Sequence, residues 1–144
     1  MKKSKKWIIF ISILIISTLG VFAYLEIRKI EQKKEQALEE RNPERFLILN
    51  HNNNQLTQGL YQEFTGTIHN TAQHTAYHDI VIQISYYDNQ KNILYTDVGT
   101  LNKCINSGDK KKYNISFKRK KILKVKTFNI EIKDANFSSW CFGY

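Results

Sequence analysis

The chain has 144 residues and a formal net charge of +9, and 42% of its residues are hydrophobic. This length allows one modest domain with additional segments and is too short for two domains with separate cores of ordinary size. A basic chain favours acidic partners, namely lipid headgroups, anionic glycans or nucleic acid, and the predicted compartment decides among them. The abundance of Lys, Ile and Asn is typical of an AT-rich bacterial genome.

The first element in chain order is an uncharged segment from Trp7 to Leu25. As a helix it spans about 28 Å, close to the ~30 Å hydrocarbon core of a bilayer. In lipid the backbone must bond to itself, so a helix is favoured although Ile is β-branched. Trp7 and Tyr24 stand near its ends, where aromatic rings suit the membrane interface. The sequence therefore predicts a transmembrane helix over residues 7–25 that contacts the lipid bilayer.

The charges on either side of this segment predict its orientation. Four lysines lie within residues 1–6, whereas residues 26–45 hold six basic and six acidic side chains. The positive-inside rule makes residues 1–6 a cytoplasmic tail and puts the rest of the chain outside the cytoplasmic membrane, in the periplasm or the extracellular space. A signal peptide cleaved after Val21-Phe22-Ala23 is the alternative, but the apolar run is longer than usual for one. An uncleaved, single-pass signal-anchor is therefore favoured.

Residues 26–45 predict a charged helical stalk, because they contain good helix formers and no Gly. Glu26 with Lys29 forms an i,i+3 pair of opposite charge. Pro43 disfavours helix at the residue before it, so the helix should end near Arg41. A dimeric coiled coil is one interpretation of this stalk. A solvated spacer is favoured, because sustained apolar heptads are absent.

Residues 46–144 change to a period-two pattern with closely spaced turns. The strongest strand runs from Asp79 to Tyr87, with Ile80, Ile82, Ile84 and Tyr86 on one face. The other predicted strands cover residues 46–49, 64–70, 92–101, 113–117 and 125–133. Together they predict an all-β, immunoglobulin-like antiparallel sandwich of six or seven strands with a C-terminal aromatic tail.

Three short motifs in this domain carry a resemblance to a known family. Gly66-Thr67-Ile68-His69-Asn70 follows a Gly-x-Val-x-Asn pattern, Ile84-Ser85-Tyr86-Tyr87-Asp88 ends a long strand before a hairpin, and Ser107-Gly108-Asp109 stands where Pro-Gly-Glu is expected. Residues 64–133 thereby resemble the FxLYD-type family of small extracytoplasmic immunoglobulin-like domains, with Ile for Phe, Tyr for Leu and Ser for Pro as departures. The resemblance implies a tethered or secreted binding module and no catalytic residue.

The chain has two cysteines, Cys104 and Cys141. Both fall in the part predicted to lie outside the cytoplasm, where disulfides persist. A bond between them would hold residues 136–141 against the sandwich. Two unpaired thiols are the alternative, and the sequence leaves both open because the pairing depends on geometry.

Three histidines, His69, His74 and His78, raise the question of a metal site. No carboxylate cluster accompanies them, so polar loop histidines are the favoured interpretation. The acidic residues are scattered, and no nucleophile elbow, phosphate loop or paired-carboxylate motif is present. The sequence therefore predicts no catalytic residue, cofactor or metal, and an enzyme with a concealed site is the minor alternative.

A basic cluster lies between residues 110 and 126, where a strand hairpin would gather lysines at both ends. It is interpreted either as a site for an anionic partner or as a set of solvated residues that protect strand edges from aggregation. The candidate binding residues are Lys110, Lys111, Lys112, Lys118, Arg119, Lys120 and Lys121.

These patterns favour a membrane-tethered extracytoplasmic interaction module, an accessory or assembly subunit that binds a protein partner. Neither the partner's identity nor an oligomeric state follows from them. Exposed aromatics favour interfaces, which makes the tail the candidate contact surface. The alternative is a domain that binds envelope polymers or anionic ligands through the basic cluster, whereas the predicted compartment excludes nucleic acid. The tail residues are Phe137, Trp140, Phe142 and Tyr144.

Overall fold

Two compact units divide the chain, Met1–Glu35 and Gln36–Tyr144. A computed structural model describes the backbone of residues 2–52, 61–118 and 125–141. It describes the side chains of the same residues except 2–6, 8, 9 and 12. Helix α1 extends from Lys2 to Arg41 and so contributes to both units.

The first unit contains the part of α1 up to Glu35, including the segment that the sequence predicts to span a membrane. Trp7 and Phe22 are 69% and 68% exposed on this helix. The hydroxyls of Ser17 and Thr18 each donate a 2.8 Å hydrogen bond to a backbone carbonyl three residues earlier. Within the residues described here, no helix is both long and apolar enough to cross a membrane. The transmembrane segment therefore stays a prediction.

The charged part of α1 ends at Arg41, next to the Asn42-Pro43 pair at which the sequence predicts a stop. Lys29 and Glu26 form the expected i,i+3 ion pair, with 2.8 Å between Nζ and Oε1. Pro43 begins the short helix α2, Pro43–Phe46, and is buried. A proline suits the first position of a helix, because its missing N–H would have no partner there.

The second unit contains six strands in its described residues, arranged as two antiparallel sheets. In the first sheet, β2 (Tyr61–Asn70) lies between β1 (Leu47–His51) and β5 (Lys110–Lys118). In the second, β3 (Ala76–Tyr87) lies between β4 and β6. Two sheets with a shared buried core form a sandwich, so the antiparallel all-β prediction is confirmed. The strands on either side of β3 are β4 (Ile93–Leu101) and β6 (Thr127–Ser138).

The core contains the side chains that the period-two pattern predicts to point inward. Ile80, Ile82 and Ile84 of β3 are completely buried, as is Phe64 of β2. The Phe64 ring meets the edges or faces of three other aromatic rings at centroid distances of 5.1 to 6.4 Å. Edge-to-face packing is a favoured arrangement for such rings. These three rings belong to Tyr86, Phe117 and Phe128.

Strands β3 and β6 are longer than the sequence predicts. β3 begins at Ala76 instead of Asp79, and β6 continues to Ser138 instead of Lys133. The pairing of the two strands shifts between His78 and Val81, where Asp79 has a φ of 48°. Such a bulge absorbs extra residues and allows the ladder to continue beyond it.

The second half of the hairpin expected for residues 110–126 falls largely on residues 119–124, outside the described part of the chain, so this hairpin stays a prediction. β5 pairs with β2 in one sheet, whereas β6 pairs with β3 in the other. Neighbouring strands in a sequence can thus belong to different sheets of a sandwich, and alternation alone does not specify the partner of a strand.

Gly66 allows the close approach of two strands in the first sheet. It lies opposite His51 of β1 and Tyr113 of β5. A Cβ at this position would overlap the backbone carbonyl oxygen of Asn50 and lie 2.8 Å from the Cα of His51. The absence of a side chain is therefore a packing requirement, because backbone atoms cannot move aside as a flexible side chain can.

Candidate functional site

The two cysteines are joined by a disulfide, which selects one of the two alternatives left open by the sequence. Their Cα atoms are 5.7 Å apart, although 37 positions separate them in the chain. Cys104 is buried in the loop that follows β4, and Cys141 follows β6. The backbone N–H of Cys141 also donates a 2.9 Å hydrogen bond to Oδ1 of Asn106. The start of the C-terminal tail is thus fixed to the sandwich.

Two of the four predicted aromatic contact residues lie in the described part of this tail. Phe137 is 47% exposed near the end of β6, and Trp140 is 55% exposed beside Cys141. The hydroxyl of Ser138 donates a 3.1 Å hydrogen bond to the backbone carbonyl of Trp140. Exposed aromatic rings on a fixed backbone are typical of protein contact surfaces. Phe142 and Tyr144 lie outside the described residues.

The segment that carries Cys104 is supported by the start of β3. Tyr77 and Ile105 form an isolated antiparallel bridge. Each donates its N–H to the carbonyl of the other, at 3.1 and 2.8 Å. Because both Tyr77 and Ile105 are buried, the bridge ties the disulfide to the core.

Asn70 organises the loops next to the tail, and the sequence analysis did not single it out as a site residue. Its Nδ2 donates to the carbonyls of Thr75 and Ile105 at 2.8 and 3.0 Å. Its Oδ1 accepts a 2.9 Å hydrogen bond from the N–H of Ala72. The side chain is completely buried, at an inward position of β2. The sequence does indicate this residue, because Asn70 is a polar residue on the same face of the strand as the inward residues Phe64 and Ile68.

Glu39, near the end of α1, is the second residue missed by the sequence analysis. Only 3% of it is exposed. Its carboxylate accepts hydrogen bonds from the N–H groups of Gln73 and His74 and from the hydroxyl of Thr75. The hydroxyl of Tyr77 donates to its backbone carbonyl at 2.8 Å. The stalk is therefore not a fully solvated spacer at this residue. The sequence contains only a weak indication of this role. A carboxylate near the C-terminus of a helix interacts unfavourably with the helix dipole, which suggests that Glu39 is stabilised by contacts outside the helix.

The basic cluster is only partly brought together. Lys110, Lys112 and Lys118 occupy alternate positions of β5 and point away from the core. Lys111 points to the opposite side, where its Nζ donates a 2.7 Å hydrogen bond to the carbonyl of Cys104. Arg119, Lys120 and Lys121 lie outside the described residues. Lys103, from the loop after β4, joins the outward lysines, because its Nζ donates to the carbonyl of Lys112 at 2.7 Å.

A depression of about 400 Å³ lies beside Lys103 and Lys112 on the first sheet. Gly66 and Tyr113 are among the residues that line it. The groups around it are hydroxyls, amides and ammonium groups, which can donate hydrogen bonds to a ligand and, through the hydroxyl and amide oxygens, also accept them. The polar residues that line it are Asn52, Thr65, Thr67, Lys103, Lys112 and Asn114.

Two aspartates have lowered pKa values outside these surfaces. A hydrogen bond from His78, with 2.9 Å between Nδ1 and Oδ2, is the main cause that lowers the pKa of Asp79. The pKa of Asp88 is lowered mainly by the backbone N–H of Asn92, which donates a 2.9 Å hydrogen bond to Oδ1 of this aspartate. The Asp88 carboxylate stabilises the β3–β4 turn by accepting backbone N–H groups, whereas the Asp79 carboxylate contacts the side chains of His78 and Asn136 beside the bulge.

The three histidines that raised the question of a metal site do not come together in the structure. His78 contacts Asp79, the backbone of His74 contacts Glu39, and His69 lies opposite Lys110 in the first sheet. Among the described residues, no group of three or more His, Cys, Asp or Glu side chains is arranged to hold a metal ion.

Comparison with known proteins adds no relative from which a function could be transferred. No family model matches the chain. No significant match is found among curated proteins. The resemblance to the FxLYD-type family therefore stays a prediction, and the functional argument rests on the residues of this chain.

Proposed function

We propose that this protein is a membrane-tethered extracytoplasmic interaction module, which binds a protein partner as an accessory or assembly subunit at the outer face of the cytoplasmic membrane. In this proposal it is a binding protein and not an enzyme. Its second unit is an immunoglobulin-like sandwich, in agreement with the motifs that resemble the FxLYD-type family. The contact surface is the C-terminal tail, centred on Phe137 and Trp140.

One observation carries the proposal: Trp140 is 55% exposed and stands next to a disulfide-bonded cysteine. Large aromatic rings gain much free energy when a partner covers them, and tryptophan is enriched among the residues that dominate binding. A fixed backbone lowers the entropy lost on binding, because the ring is already positioned. The hydrogen bond from Cys141 to Asn106 adds to this rigidity.

The membrane anchor is supported by the sequence of α1. No charged residue occurs from Trp7 to Leu25, and four lysines precede this segment. The exposed apolar side chains of this helix would be covered by lipid. We expect the protein to stay with membranes during alkaline washing and to be released by detergent. Protease added outside intact cytoplasmic membranes should degrade the sandwich, and protection of the sandwich would contradict the orientation.

Site-specific crosslinking in cells tests partner binding. A photoreactive amino acid replaces Phe137 in the full-length chain, and the crosslinked protein is identified by mass spectrometry. The substitution Trp140→Ala should remove the adduct. Ile93→Ala is the matched control, because Ile93 is 60% exposed on β4, in another part of the sandwich. An adduct that persists in Trp140→Ala, or no adduct at all, would contradict the proposal.

A further inference from the structure

The outer face of the sheet β1–β2–β5 carries a line of positive charge that the tail surface does not use. Lys110 and Lys112 are two positions apart on this face of β5, and Lys118 lies on the same face beyond Asn114 and Ser116. Alternate residues of a strand lie ~6.6 Å apart, so the line from Lys110 to Lys118 is about 26 Å long. Lys103 broadens it beside Lys112. This length matches an extended chain better than a single small anion.

The positive charge of this face is largely unbalanced. Glu63 is the one acidic residue at the outward positions of the described strands β1, β2 and β5, and it lies opposite Ser116. Lys110 and Lys112 lie opposite His69 and Thr67. Neither lysine forms an ion pair with another residue of the described parts of the chain. Their charges are thus available to an anionic ligand.

The depression between these charges contains neutral hydrogen-bonding groups. The hydroxyls of Thr65 and Thr67 and the amides of Asn52 and Asn114 line it. Nδ2 of Asn52 donates a 3.3 Å hydrogen bond to Oγ1 of Thr65, which orients both groups. The depression, about 400 Å³, falls within the range of about 300–1,000 Å³ that is usual for ligand sites. Hydroxyl and amide groups suit a ligand that carries its own hydroxyls, whereas lysines suit compact anions such as phosphate.

We propose that this face binds a linear polyol-phosphate polymer, a chain of hydroxyl-bearing units joined by phosphodiesters. Lys103 and Lys112 hold a phosphodiester at the depression, and Thr65, Thr67 and Asn114 bind the hydroxyls of the adjoining unit. Lys110 and Lys118 bind further phosphates along β5. Trp140 is not among the residues that line the depression, so polymer binding does not require the tail surface.

Titration calorimetry of the full-length protein in a non-ionic detergent tests this site. The probe is poly(glycerol phosphate) of defined length, and hyaluronate serves as a polymer with carboxylates but no phosphate. We expect binding to poly(glycerol phosphate) that weakens as salt is raised, because bound counterions are released. Hyaluronate should bind more weakly. Equal binding of the two polymers would overturn the selectivity for phosphate.

Three pairs of substitutions locate the site. Lys103→Gln with Lys112→Gln should weaken binding by roughly tenfold or more, because charge-assisted contacts are lost. Lys126→Gln with Lys133→Gln removes the same charge elsewhere and should have a much smaller effect. Thr65→Val with Thr67→Val leaves the charge unchanged and should also weaken binding. Equal effects of the two lysine pairs would reduce the interaction to non-specific attraction and overturn the proposal.

Vesicles separate the polymer from a membrane lipid with the same chemistry. Phosphatidylglycerol vesicles present glycerol phosphate as headgroups. Binding to these vesicles without binding to the soluble polymer would identify a lipid surface as the ligand and overturn the proposal. Trp140→Ala should leave polymer binding unchanged, so this result is distinguishable from the outcome of the crosslinking experiment.

Discussion

The hydroxyl of Thr75 donates a 2.8 Å hydrogen bond to the carboxylate of Glu39, which lies 36 positions earlier in the chain. The same carboxylate accepts the N–H groups of Gln73 and His74 at 2.7 and 3.1 Å. These contacts lie within the unit Gln36–Tyr144, so the end of the long helix is an integral part of the sandwich domain.

Replacing Glu39 by Ala should destabilise this domain by roughly 2–4 kcal/mol, because buried donors lose a charged acceptor. The measurement is chemical unfolding of the full-length protein in detergent, followed by tryptophan fluorescence. Glu31→Ala, at an exposed position of the same helix, is the control and should change stability by less than about 0.5 kcal/mol. Equal stabilities of the two variants would contradict a structural role for Glu39.

The substitution Gly66→Ala should lower the free energy of unfolding more than Gly99→Ala does. At Gly66 the new methyl group would overlap backbone atoms of β1, and at Gly99 it would meet the side-chain tips of Ile115 and Phe117 at 2.7 and 2.9 Å. Side-chain tips can rotate, so we expect a loss of more than about 2 kcal/mol at Gly66 and a smaller loss at Gly99. Parallel urea titrations of the two variants measure the difference. The reverse order would show that β1 moves away easily.

Removing the disulfide should lower stability by about 3–4 kcal/mol. The bond closes a loop with a sequence separation of 37 residues, and the estimate follows from the chain entropy that it removes from the unfolded state. The double variant Cys104→Ser with Cys141→Ser should therefore unfold at a clearly lower temperature. Adding a reductant to the wild type should lower its unfolding temperature in the same way and leave the double variant unchanged. A reductant effect on the double variant would point to a cause other than this bond.

Tyr113→Phe should leave stability unchanged or raise it by up to about 1 kcal/mol. The hydroxyl of Tyr113 is the one buried side-chain polar atom in the described residues without a hydrogen-bond partner. Its removal costs no contact and avoids burying an unpaired polar group. Tyr86→Phe is the comparison and should be destabilising, because the Tyr86 hydroxyl interacts with Asp97. Thermal unfolding of the two variants tests the contrast, and a destabilised Tyr113→Phe would be inconsistent with an unpartnered hydroxyl.

The buried tyrosines predict a loss of stability at alkaline pH. Burial raises the pKa of Tyr113 from 10.0 to about 12, and also raises the pKa values of Tyr77 and Tyr86. The folded state therefore holds these protons more tightly than the unfolded state does. Their stabilising contribution is complete below about pH 10 and decreases as the pH rises towards the folded pKa values. Circular dichroism should detect unfolding in step with the appearance of tyrosinate absorbance from these residues. Full tyrosinate absorbance with native circular dichroism would contradict the prediction.

Local patterns in the sequence were sufficient to predict several features of the fold. The alternation in β3 predicted which isoleucines are buried, because side chains of a strand point to opposite faces in turn. The Asp88 turn was also evident, because an aspartate side chain accepts hydrogen bonds from the next few N–H groups wherever such a turn occurs. The C-terminal tail was predicted to be a contact surface because of its four aromatic residues. The structure describes two of them, Phe137 and Trp140, and both are exposed.

Tertiary structure alone decided three features: the pairing of β5 with β2, the docking of Glu39, and the bonding of Cys104 to Cys141 in place of two free thiols. Each depends on groups tens of residues apart, and the local sequence is compatible with more than one outcome. A glutamate in a charged helix has the same neighbours in the chain whether it is solvated or buried, and only the loop at residues 73–75 provides the donors that make burial favourable. The sequence by itself determined the strands and their inward faces, because these follow from local periodicity, whereas the partners of those strands and of the helix end follow from the free energy of contacts made only in the folded chain.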